Sequence, residues 1–463
     1  MRFGTLLALF GCAAFSQAQV SSLFSPQERD AVIQFWSKPE RYTSTVPSDA
    51  LEKGLWQVRL TVAGSKWLWD YQRGKKIPPG STPVPQNDEQ KGWETWIQAK
   101  LARDRWEALQ VAQKANEAIL GKKLPTPDQH TPAAEPPLAG PMPPSLLAHC
   151  GNAPPLAEAV VPMVHSILFD DATIAYRDNT RLSSPRYAFY RFEKGVMSGG
   201  VPAKAIPPEK MAQLCQMAGI SESDAKVMRA VSMLEGGFDS VNTYDTGFVS
   251  IGFIQFASLS GGSNSLGQLL KLYKETDPSS YVADFKRFGV DVTPDGVLQV
   301  LDISTAAELN GPDAVKEIIE DKRLVAVFQR AGQKSDKFNA MQLRAARDLY
   351  LPANDAVSLQ FGDATLSGCV SDFIKSEAGM AVLMDRKVNS GKLDPLMTIL
   401  SQIAAEVKPQ SLADLAPYER DIVAALKYRK DYLADNTLTQ PAASKGSRWS
   451  AQASRGKVGR GQP

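Results

Sequence analysis

The sequence is poor in the residues that most metal sites use. It has three histidines (His130, His149 and His165) and four cysteines in 463 residues. Zinc sites need histidine and cysteine ligands at close spacing, so clustered zinc sites are nearly excluded. The chain also lacks a GxxxxGK phosphate loop and a GxGxxG after a strand-like segment, which leaves nucleotide-driven chemistry without support. We therefore expect neither a metal nor another cofactor.

The sequence also lacks an excess of either charge. It has 52 Lys plus Arg against 50 Asp plus Glu, a net charge of +2, whereas a dedicated nucleic-acid binder usually carries a strong basic excess. With 43% hydrophobic and 22% charged residues, the composition excludes a wholly disordered chain and a coiled coil, and the length allows several domains. No stretch after the N-terminus reaches about 18 apolar residues, so we expect no permanent membrane span.

Residues 1–18 have the pattern of a secretory signal peptide. Arg2 precedes the mainly apolar run 3–15, and Ser16-Gln17-Ala18 supplies small residues for cleavage. Lipoprotein processing at Cys12 is an alternative, but Phe10 fits a lipobox poorly. We expect a periplasmic or extracellular protein. The mature chain would keep three cysteines whose pairing the sequence leaves open: Cys150, Cys215 and Cys369.

Residues 20–122 are expected to form a tryptophan-rich α+β module. Val58, Leu60 and Val62 alternate like a strand, which Trp67 and Trp69 continue, and a helical pattern runs from about Gln90 to Gly121. The module holds seven of the eight tryptophans: Trp36, Trp56, Trp67, Trp69, Trp93, Trp96 and Trp106. Large aromatic side chains mostly fill cores, and this is the favoured interpretation here. A glycan-binding surface is the alternative, because indoles stack well on sugar faces.

The rest of the chain divides by composition. Residues 123–158 are rich in proline and predict an extended linker, and 159–205 predict a short β-containing connector with strand-like pieces at 166–169, 172–176 and 187–192. Residues 206–432 show helical spacing and predict a mainly α domain with a small β element. Residues 433–463 read as a disordered basic tail.

The segment 233–256, MLEGGFDSVNTYDTGFVSIGFIQF, is the part that carries chemistry. We expect a helix over 222–235 that starts at a Ser221–Asp224 capping pair and ends before Gly236-Gly237. The carbonyl end of a helix disfavours an ionised glutamate, and apolar neighbours also raise a carboxyl pKa. Glu235 is therefore a candidate general acid for glycosidic cleavage.

Asp245 lies ten residues further along, in a polar loop that also holds Asn242 and Tyr244. We expect these two residues, with Ser250, Gly252 and Gln255, to bind the substrate. A loop carboxylate in water stays ionised, so Asp245 could activate water or stabilise an oxocarbenium-like transition state. Ser250 and Gly252 follow, in an apolar run that ends at Gln255. This pattern predicts close backbone approach and an amide that points into a cleft. We interpret Asp239 as closing the helix end.

These residues resemble the signature of the lysozyme-like superfamily, in particular soluble lytic transglycosylases and goose-type lysozymes. In those families a catalytic Glu ends a helix and a Gly-Leu-Met-Gln stretch follows a variable loop. Glu235 matches the catalytic Glu, Phe238 the aromatic position after it, and Gly252-Phe253-Ile254-Gln255 the Gly-Leu-Met-Gln stretch. Asp245 falls near the acid with which goose-type enzymes position water. Gly236 departs from the usual Ser, and the spacing to Gln255 is slightly longer. The run Gly247–Tyr273 also resembles bacterial chitosanases.

The resemblance implies a lysozyme-like fold and an exported enzyme that cleaves β-1,4 links between aminosugars, most directly those of peptidoglycan. Hydrolysis with inversion and anhydro-forming transglycosylation both stay open, and chitosan is the alternative substrate. A lysozyme-like envelope protein that only binds glycan or protein partners is the alternative function. Outside the motif, a solvated helical face accounts for Ser376-Glu377 and Asp385–Asn389 as well as a cleft wall does. Cys215 is expected to be a buried packing residue.

Overall fold

A computed structural model of the protein describes residues 22–47, 55–74, 85–121, 134–178, 190–232, 236–362 and 364–443. The predicted signal peptide, Glu235 and most of the predicted basic tail lie outside these residues. The described chain is a mixed α/β structure in which helices dominate and five small sheets are interspersed. None of its helices combines the length and the apolar character that crossing a bilayer requires.

The N-terminal part combines helices with short strands. Its helices are α1 (Pro26–Trp36), α2 (Val62–Gly74), α3 (Asp88–Leu120) and α4 (Pro144–Cys150). Its strands are β1 (Tyr42–Thr45), β2 (Gln57–Leu60), β3 (Ala157–Val160), β4 (Val164–Leu168) and β5 (Thr173–Arg177).

The C-terminal part is richer in helix. Its helices are α5 (Pro208–Ala218), α6 (Glu222–Ser232), α7 (Asn264–Thr276), α8 (Pro278–Asp284), α9 (Gly311–Glu320), α10 (Lys322–Lys334), α11 (Asp336–Tyr350), α12 (Glu377–Ser390), α13 (Leu396–Val407) and α14 (Glu419–Leu426). Its strands are β6 (Met197–Ser198), β7 (Val241–Asn242), β8 (Ser250–Ile251), β9 (Phe256–Ala257), β10 (Val290–Val292), β11 (Leu298–Leu301), β12 (Glu308–Asn310), β13 (Ala356–Phe361) and β14 (Ala364–Cys369).

The tryptophan-rich module contains both kinds of element that the sequence predicts. The strand is shorter than expected: it ends at Leu60, and Trp67 and Trp69 lie on helix α2 rather than on a continued strand. The apolar residues of α2 recur with a helical period. The strand-like alternation of Val58, Leu60 and Val62 covers only three residues and does not extend beyond the first residue of that helix. The long helix α3 is as expected, because Asn87 caps its start and the left-handed Gly121 ends it.

The second half of the proline-rich segment packs against this module, whereas the sequence predicted a linker. Helix α4 places Leu146 in a core with Trp67 and Trp93, and Leu156 enters the same core just before β3. Both leucines are fully buried, which stabilises the module by roughly 1.5–3 kcal/mol each. Residues 122–133 lie outside the described chain.

The β-containing connector joins the two parts of the molecule. Strands β4 and β5 form the predicted antiparallel hairpin, and β1 adds to its other edge. Ile167 and Ile174 from this sheet share the large core of the C-terminal part with Val32 and Trp36 from α1. The start of the tryptophan-rich module therefore packs with the C-terminal helices. Of the predicted third strand, 187–189 lie outside the described residues and 190–192 form no strand.

Candidate functional site

Helix α6 leads into the candidate site. The Asp224 amide donates to the Ser221 hydroxyl (3.1 Å), as expected for its N-cap. Val227 and Val231 on one face are buried in the large core, which fixes the direction in which the chain leaves the helix. The helix is described as far as Ser232. The predicted general acid Glu235 and the expected end of the helix lie outside the described residues.

The loop residues after the helix are held by a small antiparallel sheet in the order β6–β7–β8–β9. Asn242 on β7 pairs with Met197 on one side and Ser250 on the other, and Ser250 pairs in turn with Ala257. Two-residue strands have little stability of their own, so side-chain hydrogen bonds must help to stabilise this sheet.

Gly236 and Gly237 are packed too closely for any side chain. A Cβ on Gly237 would lie 2.0 Å from the carbonyl oxygen of Val201, and one on Gly236 would lie 2.7 Å from the hydroxyl of Ser240. Gly236 also has a φ of 152°. A side chain at position 236 would therefore need both this left-handed backbone and a displacement of the Ser240 side chain, which glycine avoids.

Gln255 lies on the other side of the same hydroxyl. Its side-chain Nε2 donates to Ser240 Oγ (2.7 Å) and to the carbonyl of Gly252 (3.0 Å). Ser240 Oγ in turn donates to the Gly252 carbonyl (2.8 Å). The expectation that this amide points into a cleft is wrong for its nitrogen, which is used within the loop. Gln255 has a φ of 54°, a strained conformation of the kind that clusters at functional sites.

Gln342, a fully buried residue on α11, joins the two halves of the motif. Its Nε2 donates to the carbonyl of Phe238 (2.9 Å), and its Oε1 accepts from the amide of Phe253 (3.2 Å). A Cβ on Gly252 would lie 2.1 Å from that Oε1, and Gly252 has a φ of 79°. Only glycine at position 252 leaves room for this bridge.

Asp245 is enclosed by its own loop. Its Oδ2 accepts from the side-chain amide of Asn242 (2.7 Å), and its Oδ1 accepts from the backbone amide of Gly247 (2.9 Å). Burial raises the pKa of this carboxyl, opposed by the hydrogen bonds from Gly247 and Asn242 and by the nearby charge of Arg191. The expectation of an aspartate in water is therefore wrong. The carboxyl lies partly buried among neutral donors, where its proton is held more tightly.

Tyr244 and Ser250 hold the conformation of this loop. The backbone amide of Tyr244 donates to the side-chain oxygen of Asn242 (3.1 Å), and the backbone carbonyl of Tyr244 accepts from the amide of Arg191 (2.7 Å). Ser250 is buried, and its Oγ lies where a side chain on Gly247 would be, only 2.4 Å from a Cβ built there.

A cavity of about 320 Å³ lies beside the Asp245 loop. The rings of Phe248 and Phe192, 4.9 Å apart, form part of its wall, and Arg191 and Lys316 contribute positive charge. Phe248 lies at the end of the loop and has a φ of 65°. The volume of the cavity is that of a small-ligand pocket.

The Asp239 side chain links two segments outside the motif, whereas the helix end that it was expected to close lies outside the described residues. Its Oδ1 accepts from the amide of Val201 (2.7 Å), and its Oδ2 accepts from the side chain of Gln333 on α10 (3.2 Å). Sequence reasoning missed Ser240 and Gln342 altogether. Ser240 lies inside the motif and could have been found there, but Gln342 lies far along the chain and gives no local signal.

The remaining candidates have structural roles. Glu377 and Asp385 on α12 are buried, so the expectation of a solvated helical face is wrong for them. Glu377 accepts from the amide of Thr439 (2.8 Å). Cys215 is buried, and burial raises the pKa of its thiol, which suits a packing residue. Cys215 and Cys369 take part in no disulfide.

The described residues contain no group of three or more His, Cys, Asp or Glu side chains arranged to hold a metal ion. Comparisons with protein-family models, with curated proteins and with solved structures give no match. The assignment of a function therefore depends on the residues from Gly236 to Gln255 and on what they contact.

Proposed function

We propose that the protein is an exported enzyme that cleaves β-1,4 links between the aminosugars of peptidoglycan. One observation carries the proposal. Gly236, which directly follows Glu235, and Gln255, at the other end of the motif, meet at the hydroxyl of Ser240. Residues far apart in the motif thus occupy one place, as a catalytic signature requires and as a chance match of letters does not.

In this proposal Glu235 protonates the glycosidic oxygen. A general acid must hold its proton near neutral pH and release it in the transition state. Its place in the sequence, after the apolar face of α6 and before two glycines, favours a raised carboxyl pKa. The buried Gln342 bridge would keep the chain after Glu235 in a fixed relation to the Gln255 loop.

Asp245 supplies the second carboxyl. Two neutral donors orient it, and burial brings its pKa closer to the pH at which it must exchange a proton. If it activates a water on the face opposite Glu235, the product is a reducing sugar formed with inversion. If it only positions the substrate, the resemblance to transglycosylases implies an anhydromuramic product.

The test is a product assay on purified peptidoglycan with the full chain and the variant Glu235→Gln. The substitution preserves shape but removes the transferable proton, so we expect a loss of about 10²–10⁴ in rate. Glu222→Gln is the matched control, because Glu222 is an exposed residue of the first turn of α6 that pairs with Lys226 one turn later (3.1 Å). Its rate should equal that of the parent.

Chitosan in a parallel arm tests the alternative substrate, and the reducing or anhydro ends of the products identify the mechanism. No soluble product from either polymer with the parent chain would refute the enzyme. Retention of the chain on peptidoglycan without cleavage would instead support the glycan-binding envelope protein.

A further inference from the structure

Helix α3 and the chain that packs across it enclose a cavity of about 490 Å³, which we call the α3 groove. The groove is lined by Trp96 and Lys100 from the helix and by Leu138, Met142 and Asn152 from the chain opposite. The volume falls within the range of small-ligand pockets, about 300–1,000 Å³. It belongs to the tryptophan-rich module, whereas the candidate catalytic residues lie in the C-terminal part.

Trp96 differs from the core tryptophans of the same module. Trp93, one turn earlier on α3, is buried and donates from Nε1 to Ser145 Oγ (2.9 Å). Trp96 is partly exposed in the groove, and its Nε1 donates to the carbonyl of Gly140 (3.2 Å). That bond fixes one edge of the indole, so the ring is held in place before any ligand arrives.

The charged side chains of the groove neutralise each other. Lys100 is paired with Asp104 (2.9 Å), and Arg103 is paired with both Glu107 (2.6 Å) and Glu135 (2.6 Å). A phosphate or another strong anion would have to displace these carboxylates. The paired groups can still share hydrogen bonds with hydroxyl and amide groups of an uncharged ligand.

An ordered indole beside a thioether, with an amide and paired charges at the rim, matches the chemistry of a sugar ring. The ring's C–H face is apolar and stacks on an aromatic face, whereas its edge carries hydroxyl groups. We propose that the α3 groove binds a β-1,4-linked aminosugar chain and holds the protein on its polymer. The choice of aminosugar rests on the proposed function, because a polymer-cutting enzyme gains from a second hold on its substrate.

The test measures binding by the full chain carrying Glu235→Gln, which prevents cleavage. The probes are insoluble peptidoglycan, chitin oligomers and chitosan oligomers, which separate the possible sources of the aminosugar. Adding Trp96→Ala should weaken binding about tenfold to at least one probe. Asn152→Ala, at an exposed position of the rim, should weaken it a few-fold with little risk to folding.

Trp56→Ala is the matched control, since Trp56 is also a partly exposed tryptophan of the tryptophan-rich module but does not line the groove. Its affinity should equal that of the parent. Equal affinities for the Trp96→Ala, Asn152→Ala and parent chains on all three probes would overturn the proposal.

The two proposals fail in different ways. Release of muropeptides by the parent, with binding unaffected by Trp96→Ala, would retain the enzyme and reject the groove. Binding that depends on Trp96, without any product from the parent, would retain the groove and reject the enzyme.

Discussion

Asp245 and Asp178 each have two hydrogen-bond partners, but their pKa values are shifted in opposite directions. Asp245 accepts from Asn242 and from a backbone amide, and burial raises its pKa. Asp178, just after β5, accepts from the amide of Met163 (2.9 Å) and pairs with His165 Nε2 (2.7 Å). Burial opposes ionisation there too, but the bonds from His165 and Met163 lower the pKa of Asp178.

The difference lies in the partners. Asp178 Oδ2 lies 2.7 Å from His165 Nε2, which can donate to the ionised carboxylate, and the hydroxyl of Tyr42 lies 2.8 Å from His165 Nδ1. Lys322 adds positive charge nearby. This cluster is closed and satisfied, and it joins all three strands of the β1–β4–β5 sheet. Among the described residues, Asp245 accepts from the neutral donors Asn242 and Gly247, and burial outweighs them, so its carboxyl gains a proton more easily. Under the proposed function, Asp178 is therefore a structural residue and Asp245 a candidate for proton transfer.

The largest expected effect is on activity. Asp245→Asn keeps the shape of the loop but removes the carboxylate, so the inverting route should lose about 10²–10⁴ in rate on peptidoglycan. Asp178→Asn, measured at a temperature well below its unfolding, should keep the parent rate. The product assay under Proposed function checks both. Equal losses in the two variants would remove the distinction between the aspartates, and an unchanged rate in Asp245→Asn would favour the transglycosylase route.

The next largest effect is on stability, where we expect Asp178→Asn to be more damaging than Asp245→Asn. Asp178→Asn leaves His165 with a weaker acceptor inside the sheet and should lower the free energy of unfolding by about 1–3 kcal/mol. Asp245→Asn also loses one acceptor, but it removes the cost of ionising a carboxyl whose pKa burial raises, so we expect it to lower the free energy of unfolding less. Denaturant titration at neutral pH measures both values.

The pH dependence of those stabilities sharpens the comparison. The folded pKa of Asp178 is lowered, so its stabilising contribution is present above the unfolded value of about 3.9 and is lost as the pH falls through the folded value. The folded pKa of Asp245 is raised, so ionisation costs stability as the pH rises from about 3.9 through the folded value. Relative to its Asn variant, the parent should therefore lose stability on acidification at Asp178 and gain it at Asp245.

Local patterns in the sequence predict much of the fold around the site. The cap of α6 at Ser221, the helix α3 from Asn87 to Gly121 and the β4–β5 hairpin all follow from spacing within one segment. The short sheet β6–β9 was anticipated only as a small β element, because its two-residue strands give no alternation to read.

The errors have two sources. The first is local: a polar loop favours a solvated Asp245, but the loop folds back so that Asn242 and Gly247, three and two residues away, donate to its carboxyl, and burial raises its pKa. The second is distance along the chain: Gln342 is brought to Phe238 from α11 by tertiary packing, and such a contact leaves no periodic trace in the sequence.

The smallest expected effect is a shift in the pH profile of activity, and it tests what sets the pKa of Asp245. The Asn242 side chain donates to Oδ2 and stabilises the ionised carboxyl, so it lowers a pKa that burial raises. Asn242→Ala removes that donor and should raise the pKa of Asp245 further. If the ionised form is the one that activates water, the acidic limb of the activity profile must move to higher pH.

Asn116→Ala serves as the control for that profile, because Asn116 on α3 bonds only to Trp56 within the tryptophan-rich module. Its profile should coincide with that of the parent. An acidic limb that stays in place in Asn242→Ala, while Asp245→Asn abolishes activity, would mean that the limb reports another group. The assignment of the acidic limb to Asp245 would then be wrong, although its carboxylate would still be required for activity.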